Sequence, residues 1–322
     1  MGSHHYQVNT SSNTLKTYEI RQPLLLVSEI QRSGGSMMAQ LLDGHPQLHA
    51  HPFEIQTGYP RKWHWPELSP KETPRQWFDR LFEPRLKDYI RNGFAKAGDN
   101  RYAGSDRHPF DFSIDEQRAI FVAQVERRQP ACNREILDCY FTSFFAAWRN
   151  CQPNGLERYV SGFTPRVNMV PASHGGFFRD YPDGRMITLV RDPLSWYASA
   201  RRHHPRYWLL GPALRQWRRS LFASLWLSQT RPDHVLLLSF AEVLRAPEAT
   251  MRRVAAFAGI DWHVCLLTPT YLGRAVRPNS SFQVDQTGIN ASMLKRSTEL
   301  TPHQRRCIER DAMPLYRRAF ED

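Results

Sequence analysis

A short, wholly apolar run from Leu24 to Val27 leads into a polar loop, Gln31-Arg32-Ser33-Gly34-Gly35-Ser36. An apolar-periodic stretch from Met37 to Leu42 follows, stopped by Asp43-Gly44-His45-Pro46. The unbroken apolar run suits a strand buried on both faces, and the periodic stretch with its Gly-Pro stop suits a helix. Strand, Gly/Ser loop and helix in this order constrain the chain to an α/β fold with an anion site. The loop amides and the helix N-terminus point at one place, where the helix dipole favours negative charge. Gly34 and Gly35 let the backbone approach a phosphate closely, and Arg32 adds a fixed positive charge. No Gly-Lys-Ser/Thr closes the loop, so it is not a Walker A motif. Taken alone, the stretch also reads as an ordinary strand–turn–helix with a glycine-rich connection.

Residues 186–202, MITLVRDPLSWYASARR, repeat the pattern of a buried strand running into a helix. Arg191 stands at the C-terminal end of this strand, and Ser199 lies eight positions later, about two helical turns along. Ligands of open α/β sheets bind outside the carboxyl ends of the strands. Two such ends, one with a phosphate loop and one with an Arg followed by a helix Ser, suggest a nucleotide carrying phosphates at two separate positions.

These elements resemble those of the 3′-phosphoadenylyl sulfate (PAPS)-dependent sulfotransferases, in particular the bacterial branch with a Glu general base. The family's 5′-phosphosulfate loop, Lys/Arg-Ser-Gly-Thr-Thr/Ser, is similar to Arg32-Ser33-Gly34-Gly35-Ser36. Its 3′-phosphate element, a strand-end Arg and a Ser eight residues on, is similar to Arg191 and Ser199. Pro278-Asn279-Ser280-Ser281-Phe282 looks like the late loop that closes over the nucleotide. The resemblance implies that Arg32, Ser33, Gly34, Gly35, Ser36 and Met37 hold the 5′ end of the donor. Arg191 and Ser199 then hold the 3′-phosphate, and Asn279, Ser280 and Ser281 close the site. One departure stands out. Gly35 occupies the place where the family usually has Thr, and Ser36 keeps one hydroxyl near the phosphosulfate.

The resemblance also bears on Glu54, at the end of a second strand that runs through Gln47-Leu48-His49-Ala50-His51-Pro52-Phe53. A carboxylate at a strand end beside a phosphate loop is a candidate base, but spacing alone also allows a surface Glu. Several sulfotransferase branches place a catalytic Glu just after this strand, which favours Glu54 as base. The animal-type cytosolic enzymes instead have a catalytic His in a Lys-Thr-His sequence near Gly162-Phe163-Thr164, and that His is missing here. His49 and His51 fall on one strand face without a carboxylate to complete a metal site. With His45 they read as polar pocket-lining or surface residues.

The chain has 322 residues, 41% of them hydrophobic and 23% charged, enough for one large α/β domain with insertions. Its formal net charge of +12 suits a polyanionic nucleotide, an anionic acceptor, nucleic acid or a membrane surface. The Lys and Arg residues are scattered among acids, and no RNP, helix-turn-helix or zinc-finger pattern occurs. A nucleic-acid partner is therefore not expected. Five cysteines without a CxxC pair argue for a reducing, cytoplasmic setting and against a disulfide framework. Residues 1–20 read as a polar, flexible arm without a signal peptide, and no apolar run is long enough to span a membrane.

Residues 21–322 then read as a single domain. An insertion at 56–130 carries aromatics among basic residues (Tyr59, Arg61, Trp63, Trp65), which suit stacking on a ligand or equally the small core of a helical cap; by position it is the candidate for the acceptor side. A helical stripe of Ile136, Leu137, Tyr140, Phe141, Phe144, Phe145 and Trp148 belongs to the core. Strands follow at Tyr159–Phe163 and Val235 to Phe240, and helices at 168–179, 215–228 and 247–258. A closing helix is expected over 302–320.

The expected architecture is a parallel sheet flanked by helices, of the P-loop nucleotide-kinase-like type with a helical insertion. The expected activity is transfer of the sulfuryl group of PAPS to a hydroxyl of a small-molecule, carbohydrate or lipid acceptor. Adenosine 3′,5′-bisphosphate (PAP) leaves, Glu54 acts as base, Arg32 stabilises charge, and no metal is required. An ATP-dependent kinase of similar fold and a basic nucleic-acid-binding module are the rival readings.

Overall fold

Leu24–Val27 forms strand β1, and all four of its residues are buried, as a strand covered on both faces requires. The structure is a computed structural model that describes residues 19–55, 63–82, 84, 86, 87, 90, 110–149, 151, 153–271, 273–276, 288, 289 and 299–321. Four further strands join β1: β2 (Leu48–Glu54), β3 (Tyr159–Phe163), β4 (Arg185–Val190) and β5 (Val235–Ser239). They lie in the order β2-β3-β1-β4-β5, every pairing is parallel, and β1 is central. The parallel sheet flanked by helices is therefore the architecture expected from the sequence.

Side chains alternate across a strand, and β1 distributes them to two separate cores. Leu24 and Leu26 pack with Phe177, Ile136 and Leu137 on one face. Leu25 and Val27 pack with Met38, Leu41 and Val254 on the other. The first face is covered by α4 (Asn133–Ala147) and α5 (Pro171–Asp180), the second by α1 (Gly35–Leu42) and α9 (Pro247–Ala258). Gly259 ends α9 in the left-handed conformation common at helix C-termini. A third core joins α6 (Pro193–His203) and α7 (Leu210–Thr230) to the C-terminal segment through Trp196, Trp217, Ile308 and Tyr316.

Several boundaries differ from expectation, each for a local reason. Ser239 caps the short helix α8 (Phe240–Arg245) in a reciprocal box with Glu242, so Phe240 opens a helix rather than ending β5. The closing helix is two helices, α10 (Pro302–Asp311) and α11 (Met313–Phe320). Pro314 has no N–H to continue the first, and Ala312 turns out of helical geometry. A 3-10 turn at Val167–Met169 precedes α5, which starts at Pro171, where the fixed φ of proline suits a helix N-terminus. Within the proposed insertion, α2 (Pro74–Leu81) and α3 (Ile114–Arg128) are described, and residues 56–62 and 91–109 lie outside the described residues.

The histidines in and just before β2 are not at the surface. His45, His49 and His51 are all buried. His51 stacks on Phe144 at 4.4 Å and His49 lies 5.3 Å from Phe145, so the aromatic stripe of α4 covers the shared histidine face. Burial pushes the pKa of both His49 and His51 down to about 4, so both imidazoles are neutral in the folded chain. A histidine whose folded pKa is depressed contributes stability above its unfolded pKa and loses it as pH falls through the folded value. Unfolding free energy is thus expected to drop as pH goes from 6.5 towards about 4. Urea titrations of the parent and His51→Phe across that window should show a shallower loss in the variant.

Candidate active site at the strand ends

The loop that leaves β1 is held from several sides. Ser28 Oγ donates to the Thr164 carbonyl at 2.7 Å, tying the end of β1 to the end of β3. Trp196 Nε1 donates to the Gln31 carbonyl at 3.0 Å, and Tyr207 OH donates to Gln31 Oε1 at 3.0 Å. Between these anchors Arg32 takes φ +76° and Gly34 φ +115°, both in the left-handed region. A β-carbon at Gly34 would also run into the ring of Phe240, so glycine is required there by both backbone and space. Gly34 is the N-cap of α1, which puts the amides of the first turn at the loop's mouth.

Gly35 has a different reason. A β-carbon there would collide with the Phe163 ring and sit 2.6 Å from Glu29 Oε1. Glu29 is buried, and its carboxyl accepts the Gly35 N–H at 3.1 Å and the Ser33 N–H at 3.3 Å. The place that a Thr side chain would take is already filled by Glu29 and Phe163. Ser33 is fully buried, and its hydroxyl has no hydrogen-bond partner among the described residues. A buried hydroxyl of this kind inside a glycine loop fits an anionic oxygen as its acceptor. Ser36 is partly exposed in the first turn of α1, whereas the Met37 side chain is buried in the core, leaving only its backbone to face the loop.

The second motif meets the first. Arg191 follows β4, and its carbonyl accepts from Trp217 Nε1 at 2.9 Å. Its guanidinium lies 5.0 Å from the Phe240 ring centroid and donates through Nη1 to the Arg32 carbonyl at 3.4 Å. Asp192 caps α6 by accepting the Ser195 N–H at 2.9 Å, which sets the helix that carries Ser199. Ser199, also buried, accepts from Arg32 Nε at 3.2 Å. Arg32, Arg191 and Ser199 are therefore brought to one place from three elements. Glu54 ends β2 opposite Phe163 of β3, half-buried, after a register irregularity that follows Ala50. Pro52 lies within that irregularity, where its missing N–H is tolerated. Asn279, Ser280 and Ser281 lie outside the described residues.

Two residues of this region escaped the sequence reading. Glu29 is one; a carboxylate two positions past β1 satisfies the same strand-end rule that singled out Arg191. Arg166 is the other. It follows β3 at φ +70°, its N–H donates to the Glu29 carbonyl at 2.8 Å, and its guanidinium lies 4.2 Å from the Trp63 ring centroid. Burial lowers its pKa, while Glu54, Glu29 and Tyr207 act in the opposite direction.

A glycine loop at a helix N-terminus has Arg32, Arg166 and Arg191, which follow three strand ends, gathered around it. The sequence profile described as "Sulfotransferase family" matches residues 23–264, and the chain belongs to that family. Among solved structures, the chain is similar to the sulfotransferase domain of the Synechococcus PCC 7002 olefin synthase. That match has 18% identity and a TM-score of 0.55, over 88% of this chain and 90% of the other. It is also similar to a sulfotransferase from Alicyclobacillus acidocaldarius, with 16% identity and a TM-score of 0.47 over 92% and 94% of the two chains. No curated protein matches the chain in sequence.

Gly35→Thr, which inserts the residue usual in the family, is expected to overpack the loop against Phe163 and Glu29. Overpacking of this kind costs about 1–3 kcal/mol. A denaturant midpoint lowered at unchanged slope would register it; an unchanged midpoint would mean that Glu29 and Phe163 yield without cost.

Proposed function

We propose that the protein transfers the sulfuryl group of PAPS to an acceptor hydroxyl. The observation that carries this reading is the convergence of the Arg32 loop with Arg191 and Ser199, linked by the bonds from Arg32 Nε to Ser199 and from Arg191 to the Arg32 carbonyl. A donor with phosphates at both its 5′ and 3′ positions calls for two anion sites on one sheet edge. In this reading the loop from Arg32 to Met37 takes the 5′-phosphosulfate through its amides and the Ser33 and Ser36 hydroxyls. Arg191 and Ser199 take the 3′-phosphate, and Asn279 to Ser281 close over the nucleotide.

Glu54 removes the acceptor proton as the acceptor oxygen forms its bond to sulfur. The bond from sulfur to the 5′-phosphate oxygen breaks, and negative charge grows on that oxygen. Arg32 and the N-terminus of α1 stabilise it, as preorganised dipoles and cations do in phosphoryl transfer. The products are a sulfated acceptor and PAP. Arg166, stacked on Trp63, adds a second cation on the side of β2 and β3. Trp63 lies in the segment after Glu54, which supports assigning the acceptor side to residues 56–130.

Thermal unfolding with PAP, beside ATP·Mg²⁺ and AMP, tests the donor assignment, because a ligand held by the native state raises the midpoint. A rise with PAP alone is expected. A rise with ATP·Mg²⁺ and none with PAP would replace this reading with a kinase. Glu54→Gln is expected to reduce turnover by about 10²–10⁴-fold, the usual contribution of a general base, while PAP still raises the midpoint. Loss of both would make Glu54 a structural residue.

A further inference from the structure

Glu29 engages two backbone amides of the glycine loop. Its two carboxyl oxygens accept the Ser33 and Gly35 N–H groups at 3.3 and 3.1 Å, and it is only 1% exposed. Its main chain is pinned as well, since its carbonyl accepts the Arg166 N–H at 2.8 Å. The space it fills is the one left by the missing side chain of Gly35, whose β-carbon position is 2.6 Å from Oε1. Charged and titratable groups act on it from each neighbouring element: Arg32 from the loop, Glu54 from the end of β2, Arg166 after β3, and Tyr207 after α6.

We propose that Glu29 is a placeholder for the donor's anionic group, competing with it for the Ser33 and Gly35 amides and so setting donor affinity. This rests on the PAPS reading above. The competition favours the donor near neutral pH. Burial pushes the Glu29 carboxyl up to about 8, against the pull of the two amides and Arg32, so the amides there face a neutral acid. The ionised phosphosulfate of the donor, like the 5′-phosphate of PAP, is a stronger acceptor than a neutral carboxyl, because charge-assisted hydrogen bonds are about twice as strong as neutral ones. Glu29 therefore keeps the loop's donors satisfied and yields them to a more strongly charged ligand.

A residue that only shapes the loop would weaken ligand binding when removed; a competitor strengthens it. Calorimetric titration of the full chain with PAP, for the parent, Glu29→Ala and Glu29→Gln, separates the two. Glu29→Ala is expected to bind PAP at least about tenfold more tightly, the worth of one released hydrogen bond. Glu29→Gln retains one carbonyl acceptor and the side-chain volume, so it folds without a cavity and should fall between parent and Ala. Variants that bind PAP no more tightly than the parent would overturn this proposal and leave the donor reading in place. No PAP binding by any of the three proteins would overturn both.

Discussion

The burial of β1 between β3 and β4, with a core on each face, is the constraint on which the rest of the structure depends. Four apolar residues fix the direction and depth of the strand, and the chain must emerge from it at the sheet's carboxyl edge. There it meets the ends of β3 and β4, which supply Arg166 and Arg191. The loop is not held by its own hydrogen bonds alone. Trp196, Tyr207 and Phe240, from three other segments, set the path of Gln31 to Gly34. Arg32, a non-glycine residue in the left-handed region, carries backbone strain that only such surrounding packing can hold.

The electrostatics follow from this placement more than from the chain's net charge of +12. Many surface arginines pair with acids, as Arg252 does with Glu248 and Arg202 with Glu299. Exposed pairs of this kind contribute little to stability. What matters is that Arg32, Arg166 and Arg191 are half-buried or buried at one edge, where fields are less screened than in water. Two carboxyls, Glu29 and Glu54, share that edge, and their different settings separate them. Glu29 is buried against the loop amides, whereas Glu54 ends a strand that leads to the segment with Trp63.

Much of the architecture was legible because it rests on local patterns. The apolar runs at Leu24–Val27, Tyr159–Phe163 and Arg185–Val190 are strands within a residue of their reading, and Gly259 ends α9 as its position implies. Arg191 and Ser199 were legible through the strand-end rule and helical spacing. The rest depends on which segments meet, and spacing carries no record of that. The shared face of His49 and His51 could be read from strand periodicity, but not that Phe144 and Phe145 would cover it. Nothing in the spacing marks Glu29, because the niche beside Phe163 and Gly35 is a feature of tertiary packing. Glycine at 35, read as the loss of a family hydroxyl, is a packing requirement.

The position of β1 also has a consequence for how the chain reaches this state. Its sheet partners begin more than a hundred residues downstream, at Val160 and Arg185. Closing such long loops carries an entropic cost before any pairing rewards it, which slows the folding of parallel sheets. The first forty residues contain the complete glycine loop, yet none of the surfaces that hold it in shape. The loop therefore has its full support only once β3, β4, α6, Tyr207 and α8 are all in place.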